Sequence, residues 1–296
     1  MKSRLFIYVA LAADLAIAIT KFFGAALTGS SAMISEGIHS IIDSANQILL
    51  LIGIKKSKKK ADEKRPFGYG KELYFWSFIV SLLIFSLGGC VSFYEGILRL
   101  KKPVVEDNQT WNYIVLALAF IFTAITAGIT LKKFNTQRGD LGFWQAVKES
   151  KDPSVFIVLL GDLGDLIGLV IAFLGVYLGH LLHNSYYDGI ASMIIGVMLI
   201  GISGLLLREC RSLLMGESIG KKTLRNIIAL AEADPSVVRV KRHFSMYMAP
   251  DEVVLQLIAV FDKDLKTQEI TEAIQRVIKH IQEKFPRVKQ IFIEPV

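Results

Sequence analysis

The amino-acid sequence predicts an α-helical polytopic membrane protein with six transmembrane helices and a small C-terminal α+β domain. Of the 296 residues, 52% are hydrophobic, and the mean hydropathy is +0.46. A soluble domain of this length carries more charge and fewer apolar residues. Charged residues are sparse through long stretches of residues 1–208 and dense in residues 209–296. We therefore expect a membrane domain at 1–208 and a soluble domain at 209–296.

Six apolar windows are each long enough to cross a bilayer, which takes roughly 20 residues in a helix. The first window contains Asp14 and Lys21 and has no small-residue cleavage site after a short apolar core. It is therefore interpreted as a membrane helix and not as a signal peptide. The windows lie at residues 5–27, 31–54, 73–98, 111–131, 154–181 and 187–207.

The connections between the windows indicate which side of the membrane is cytoplasmic. Lysine and arginine are concentrated before the first window and in connections 55–71 and 132–152, which share one side if six helices alternate. Cytoplasmic loops carry this excess of positive charge. We expect a multi-pass protein of the cell (inner) membrane with both termini in the cytoplasm. These loops hold much of the net charge of +7, so this charge does not indicate nucleic-acid binding.

The soluble part alternates helical and strand patterns. Residues 218–233 and 267–285 carry apolar residues at helical spacing, whereas 237–248, 252–261 and 288–293 have strand patterns. The order α-β-β-α-β predicts helices on one face of an antiparallel sheet. The sequence contains no Gly-rich phosphate loop, GxSxG or HExxH motif, so we do not expect an enzyme.

Ionisable residues lie inside several of the predicted membrane helices, where each costs about 2.5–3.5 kcal/mol on insertion scales, and two of these helices carry groups of them. The second window contains Glu36, His39 and Asp43, which share one helix face because they are three, four and seven residues apart. The fifth window contains Asp162 and Asp165, again on one face. A histidine and an aspartate one turn apart, with an aspartate from a facing helix, can hold one cation. We therefore expect a metal site at His39, Asp43 and Asp162.

The donor types indicate which cation such a site would take. Imidazole nitrogen together with carboxylate oxygen suits zinc and other first-row divalent metals, whereas magnesium and calcium prefer oxygen alone. The same groups bind protons, so loading the metal releases protons and protonation releases the metal. We expect Zn²⁺ or another first-row divalent metal as transported substrate, H⁺ as counter-ion, and no cofactor.

Four other charged residues in the windows are expected to have structural roles. Asp14 and Lys21 are seven residues apart and are expected to make or support internal polar contacts. Glu95 and Asp188 lie near helix ends on the side opposite the basic loops, and are expected at the membrane interface, with a place along an exit path as the alternative.

Four segments of the chain resemble the cation diffusion facilitators, a family of metal/proton exchangers. They match the second-helix signature with its His-x-x-x-Asp ligands, the loop before the third helix, the fifth-helix aspartate, and the start of the sixth helix. The matching segments are Gly29-Ser30-Ser31-Ala32-Met33 through His39 and Asp43, Arg65-Pro66-Phe67-Gly68-Tyr69-Gly70-Lys71, Asp162 with Gly168, and Tyr187-Asp188. Glu149-Ser150-Lys151-Asp152-Pro153-Ser154, followed by Leu159-Leu160, is especially similar to the branch of the family that contains zinc transporter 9.

The resemblance implies more than the residue patterns do. It implies that the soluble domain is a cytoplasmic ferredoxin-like domain, and that the protein is a homodimer joined through this domain and part of the membrane region. It also implies alternating access, in which proton entry is coupled to the export of metal from the cytoplasm.

The chain departs from the family pattern in its fifth helix. Many members have a second ligand four residues before the aspartate, where this chain has Val158. Asp165, Glu36 or water is left to complete the metal shell. The most similar branch has glutamate where this chain has Gly161.

Other departures concern accessory metal sites. Loop positions that hold histidines in some bacterial members are Arg65 and Tyr69 here, so we expect no loop site, although Asp62 remains. We also expect no binuclear site in the soluble domain, and surface positions for His243 and His280. The positions that match the histidines of those members in that domain are Val240, Ile258 and Ile293.

The favoured hypothesis is a transporter that exports a divalent metal, zinc first, by proton-coupled antiport. Manganese or iron stays open as the substrate, because several carboxylates also suit these metals. A metal-binding scaffold or sensor with little transport is a second class, which the absence of a ligand at Val158 favours. A membrane metalloenzyme with Glu36 as general base is a third. The expected partners are the metal cation, protons, the lipid bilayer and a second copy of the chain.

Overall fold

The computed structural model describes residues 5–28, 31–101, 109–139, 142–182, 184 and 186–296. Within these ranges it describes only the backbone at residues 5–6, 24–25, 27–28, 31–39, 109–112, 137 and 148–149.

The first part of the chain is helical, and each predicted window lies within helix. Helices α3 and α4 are joined by a π-helical segment without a break, so that residues Glu72–Lys101 form one long element. The elements are α1 (Leu5–Thr28), α2 (Ser31–Ser57), α3 (Glu72–Leu83), the π segment (Ile84–Cys90), α4 (Val91–Lys101), α5 (Gln109–Arg138), α6 (Phe143–Glu149), α7 (Pro153–Leu181) and α8 (Tyr186–Met215).

Four helical spans among the described residues are long and apolar enough to cross a membrane. Their mean hydropathies over the best window range from 1.9 to 2.5. The spans are Glu72–Lys101, Tyr113–Thr136, Pro153–Leu181 and Tyr186–Met215. The chain is therefore a multi-pass integral membrane protein with a helical membrane part.

Two features of this part were not predicted. The connection at 132–152 contains the short helix α6, and the helix that starts at Glu72 widens into a π segment before it continues as α4. The π segment contains Gly88 and Gly89, and the Ser86 hydroxyl donates to the Leu82 carbonyl oxygen at 2.9 Å. A π segment re-aims the side chains that follow it and is frequently found at functional sites.

Helix α8 packs closely on α4 because glycines stand where the two backbones meet. A Cβ at Gly196 would lie 2.5 Å from the Phe93 amide nitrogen, and one at Gly96 would lie 2.7 Å from the Met193 amide nitrogen. Small residues of this kind allow membrane helices to approach and gain van der Waals contact.

We expect Gly196→Ala to destabilise the protein by about 1–3 kcal/mol, because the added methyl group meets backbone that cannot give way. The measurement is the thermal unfolding midpoint of the purified protein in detergent. Gly201→Ala and Gly204→Ala are matched controls on the same helix, since no described heavy atom lies within 4 Å of a Cβ at either position. An unchanged midpoint for Gly196→Ala would contradict this account of the packing.

The C-terminal part folds in the predicted order, α9 (Lys221–Glu232), β1 (Val237–Ala249), β2 (Glu252–Phe261), α10 (Thr267–Lys284) and β3 (Val288–Pro295). Burial along β2 alternates, so that Leu255, Leu257 and Ala259 face the core. Ile227 of α9 and Ile281 of α10 belong to the same core. His243 and His280 are exposed, as predicted.

The predicted antiparallel sheet was wrong for one of its two strand pairs. The strand order is β1-β2-β3; β1 and β2 are antiparallel, but β2 and β3 are parallel. The reason is the helix α10, which follows β2 and returns the chain so that β3 starts at the same end as β2. A helical crossover of this kind joins parallel strands, whereas a tight turn joins antiparallel ones.

The chain divides into two compact units. One contains Met1–Lys55 and Phe75–Cys210, and the other contains Lys56–Tyr74 and Arg211–Val296. The connection between α2 and α3 therefore belongs with the C-terminal part. The predicted domains, 1–208 and 209–296, had placed this connection in the membrane domain. A Cβ at Gly70 of this connection would lie 2.4 Å from the Met248 carbonyl oxygen of β1, so the two stretches of chain are in close contact.

The connection is held by polar contacts around Asp62. Its carboxylate accepts hydrogen bonds from Lys59 Nζ at 2.7 Å, from the Tyr69 hydroxyl at 2.7 Å and from the Arg65 amide at 3.0 Å. The Lys59 and Tyr69 bonds lower the pKa of Asp62 to about 2. These three donors hold the carboxylate in place within the connection.

Candidate metal centre

The acidic residues predicted on two helices lie at one cavity. Asp43 of α2 and Asp162 and Asp165 of α7 line a small space of about 60 Å³ among the helices. Val158, which stands at the position where many family members have a ligand, lines the same cavity. The helical spacing predicted carboxylates on neighbouring faces of α2 and α7, and these three carboxylates line one cavity.

The two other predicted ligands lie on α2 before Asp43. His39 is one turn before it and Glu36 two turns before it, within the helix Ser31–Ser57. Their side chains lie outside the part of the chain that the structure describes. Their roles as ligands stay predictions.

Asp162 is the most enclosed of these carboxylates, with 7% of its surface exposed. Helix α5 contacts it through two buried threonines. Thr130 Oγ1 lies 3.4 Å from Asp162 Oδ2 and 2.9 Å from the Thr126 carbonyl oxygen, and Thr126 also hydrogen-bonds Asp162. A threonine hydroxyl is both donor and acceptor, so Thr130 can serve Asp162 in either protonation state.

The sequence reasoning did not include these threonines in the site. A signal was present, because Thr123, Thr126 and Thr130 recur at spacings of three and four in an otherwise apolar window. Such spacing places them on one helix face, and all three are buried.

Asp14 of α1 was expected to make or support internal polar contacts, and it lies at the same cavity. Its carboxylate interacts electrostatically with those of Asp43, Asp165 and Asp162, and it hydrogen-bonds with the side chain of Gln47. Carboxylates from three helices therefore meet in one place. An aspartate in the middle of an apolar window was the signal, since intramembrane ionisable residues are commonly functional.

A second, larger cavity of about 450 Å³ extends from these carboxylates toward one end of the helices. Asp14, Asp43 and Asp165 line both cavities. At the far end lie the C-terminal end of α4 and the N-terminal end of α8, where Arg99 forms an ion pair with Asp188. The remaining charged residues that line this cavity are Lys21 and Glu95. Glu95 and Asp188 therefore line the same cavity as Asp14, Asp43 and Asp165.

The described carboxylates do not by themselves form a metal cluster. Among the described side chains, no three of histidine, cysteine, aspartate and glutamate lie close enough to hold one ion together. Carboxylates gathered in a medium of low dielectric repel one another and need neutralising charge. Protons, a divalent cation or the buried Lys21, which lines the larger cavity, can supply that charge.

These features define a multi-pass integral membrane protein with an acidic cavity among its helices. A family model for the cation efflux transmembrane domain matches residues 7–215. The chain belongs to this cation efflux family, as the resemblance to the cation diffusion facilitators predicted.

Known relatives support the predicted branch. The chain is 30% identical to the human "Proton-coupled zinc antiporter SLC30A9, mitochondrial" over 278 residues, covering 92% of this chain and 49% of the relative. It is 25% identical to the "Manganese efflux system protein MneP" of Bacillus subtilis over 305 residues, covering 98% of this chain and 95% of the relative. The chain spans about half the length of the SLC30A9 proteins that it matches.

Proposed function

We propose that this protein is a secondary transporter that exports a divalent metal cation from the cytoplasm in exchange for protons. The observation that carries the proposal is the convergence of Asp14, Asp43, Asp162 and Asp165 from three helices on one cavity. A larger cavity that reaches the ends of α4 and α8 supports access from one side of the membrane.

The acidic site supplies the coupling between metal and protons. Carboxylates must lose their protons to bind a metal, so metal binding releases protons and proton binding expels the metal. If the site is open to only one side of the membrane at a time, the competition between metal and protons for the carboxylates exchanges one ion for the other across the membrane. Metal enters from the cytoplasm, and protons entering from the other side displace it.

Zinc is the first candidate substrate. His39 supplies an imidazole, which suits zinc, and the antiporter SLC30A9 is named for zinc. Manganese is the second, because the described donors are all oxygen atoms and MneP is named for manganese efflux. Within the proposed site, His39, Asp43 and Asp162 bind the cation, and Asp165 or Glu36 completes its shell.

We further propose six membrane spans, with α1 and α2 added to the four spans described above. The N- and C-termini then face the cytoplasm, together with the basic connection 55–71. The cell (inner) membrane is the proposed location. The larger cavity opens, in this orientation, toward the side away from the cytoplasm.

A homodimer joined through a ferredoxin-like C-terminal domain is the proposed assembly. The exposed aromatic residues of its sheet support this. Phe244 of β1 and Phe292 of β3 are half exposed and both lie opposite Gln256 of β2, so they form one row across the sheet. Exposed apolar patches on a sheet commonly mark interfaces.

Transport by purified protein in sealed liposomes tests the proposal. We expect uptake of Zn²⁺ that accelerates when the metal and proton gradients point in opposite directions, and that is lost in a His39→Ala, Asp43→Ala, Asp162→Ala variant. Comparing zinc, manganese, iron and cobalt at several pH values gives the substrate order. Flux that survives in the triple variant would refute the proposed site. Metal binding without flux would instead support a scaffold or sensor.

A further inference from the structure

A buried amide lies beside the proposed metal ligands on α2. Asn46 follows Asp43 by three residues and therefore lies on the same face of the helix. It is 7% exposed and lines the small cavity together with Asp43, Asp162 and Val158. His39, Asp43, Asn46 and Leu50 form one stripe along α2, with spacings of four, three and four.

The amide oxygen of Asn46 has no hydrogen-bond partner among the described residues. Buried polar atoms in proteins are nearly always hydrogen-bonded, and an unsatisfied one costs free energy. The neighbouring Gln47 Oε1 is likewise buried without a partner among the described residues, and Gln47 lines the same cavity, but its side chain also hydrogen-bonds with Asp14 of α1. Asn46 therefore has an amide oxygen without a hydrogen-bond partner at the cavity that the carboxylates of Asp43 and Asp162 also line.

We propose that Asn46 Oδ1 is a ligand of the transported cation, and that it supplies the donor that Val158 does not. The inference rests on the proposed function. It adds a neutral oxygen to His39, Asp43 and Asp162, and completes a four-donor shell from α2 and α7 in place of Asp165 or Glu36.

This ligand has a consequence for selectivity. Carbonyl oxygens suit hard cations such as manganese, whereas imidazole suits zinc. A shell with one imidazole and three oxygen donors therefore accepts Mn²⁺ beside Zn²⁺. Asn46 is the residue that shifts the balance toward manganese.

Three variants test this role. Asn46→Leu keeps the size and removes the oxygen, and Asn46→Asp keeps an oxygen at the same position. Ser77→Ala is the matched control, because Ser77 Oγ is likewise buried and without a partner in the described part of the chain, but lines neither cavity. The measurements are Zn²⁺ and Mn²⁺ binding to the protein in detergent, and uptake of each metal into liposomes.

We expect Asn46→Leu to weaken Mn²⁺ binding by about 10–100-fold and Zn²⁺ binding by less, since His39 still serves zinc. Asn46→Asp is expected to retain binding of both metals, and Ser77→Ala to match the unmodified protein. If Asn46→Leu does not fold, Asn46→Ser gives the same test, because its shorter side chain withdraws the oxygen from the cavity.

Two results would overturn the inference. Unchanged affinity and selectivity in the variants that lack the oxygen would show that Asn46 is not a ligand. Equal losses in Asn46→Asp and Asn46→Leu would assign the effect to the amide NH₂ group, which would then hold a carboxylate in place. If the unmodified protein binds and moves no divalent metal, the proposed function itself fails, which the same assays show before any variant is compared.

Discussion

The Asp162→Asn variant is expected to lower the rate of metal transport by about 100-fold or more, while the protein still folds. Asparagine keeps the shape of the side chain and its contacts with Thr126 and Thr130, but it removes the charge. Even residues that only support a metal ligand cost 10–100-fold in affinity when they are changed, and a ligand costs at least as much. The measurement is the initial rate of Zn²⁺ uptake into liposomes.

Metal-dependent stability provides an independent readout for the same variant. A cation that binds only the folded protein stabilises it by about 2.7 kcal/mol at 100 times its dissociation constant. The unmodified protein should therefore show a higher unfolding midpoint with zinc than without, and Asp162→Asn should not.

Asp251→Asn is the control for Asp162→Asn, because Asp251 is largely exposed and pairs with an exposed Arg287. Transport at the normal rate in Asp162→Asn would remove this aspartate from the ion path.

The second large effect is expected for Asp14→Asn, which should lower transport by about tenfold. Asp14 lines both cavities and interacts electrostatically with the three other carboxylates. Removing its charge weakens the attraction for a cation that passes from one cavity to the other. Fewer carboxylates then compete for protons, so binding of each cation should also release fewer protons. A pH electrode in a weakly buffered sample measures this release.

Leu15→Ala serves as the control for Asp14→Asn, because Leu15 is the next residue on α1 and is 44% exposed. A transport rate and a proton release that both match the unmodified protein would show that Asp14 makes structural polar contacts only, the role that was expected from the sequence.

The positions of the helices were predictable because bilayer thickness sets the length of an apolar segment. The windows at 154–181 and 187–207 each fall within an observed helix for this reason. The π segment and α6 were not predictable, because neither changes the hydrophobic period enough to be seen. The parallel pair was missed because an α-β-β-α-β pattern does not specify whether β3 pairs with β2, which makes a parallel pair, or with β1, which makes an antiparallel one.

The residues that α2 and α7 contribute to the candidate site were predictable, because spacing along a helix determines which residues share a face. Asp43 and Asp162 meet at one cavity as expected. The contributions of α1 and α5 could not be predicted in the same way. The proximity of Asp14 and Thr130 to the site depends on which helices are neighbours, and one sequence contains no measure of that.

The unit formed by Lys56–Tyr74 and Arg211–Val296 has a consequence for engineering. Its two pieces of chain are separated by about half of the sequence, and the close approach of Gly70 to Met248 joins them. Deleting everything after residue 210 would therefore leave a membrane domain with a defect. The α2–α3 connection would lose the part of the chain on which it packs. A chimera that exchanges the C-terminal part with a relative must exchange this connection at the same time.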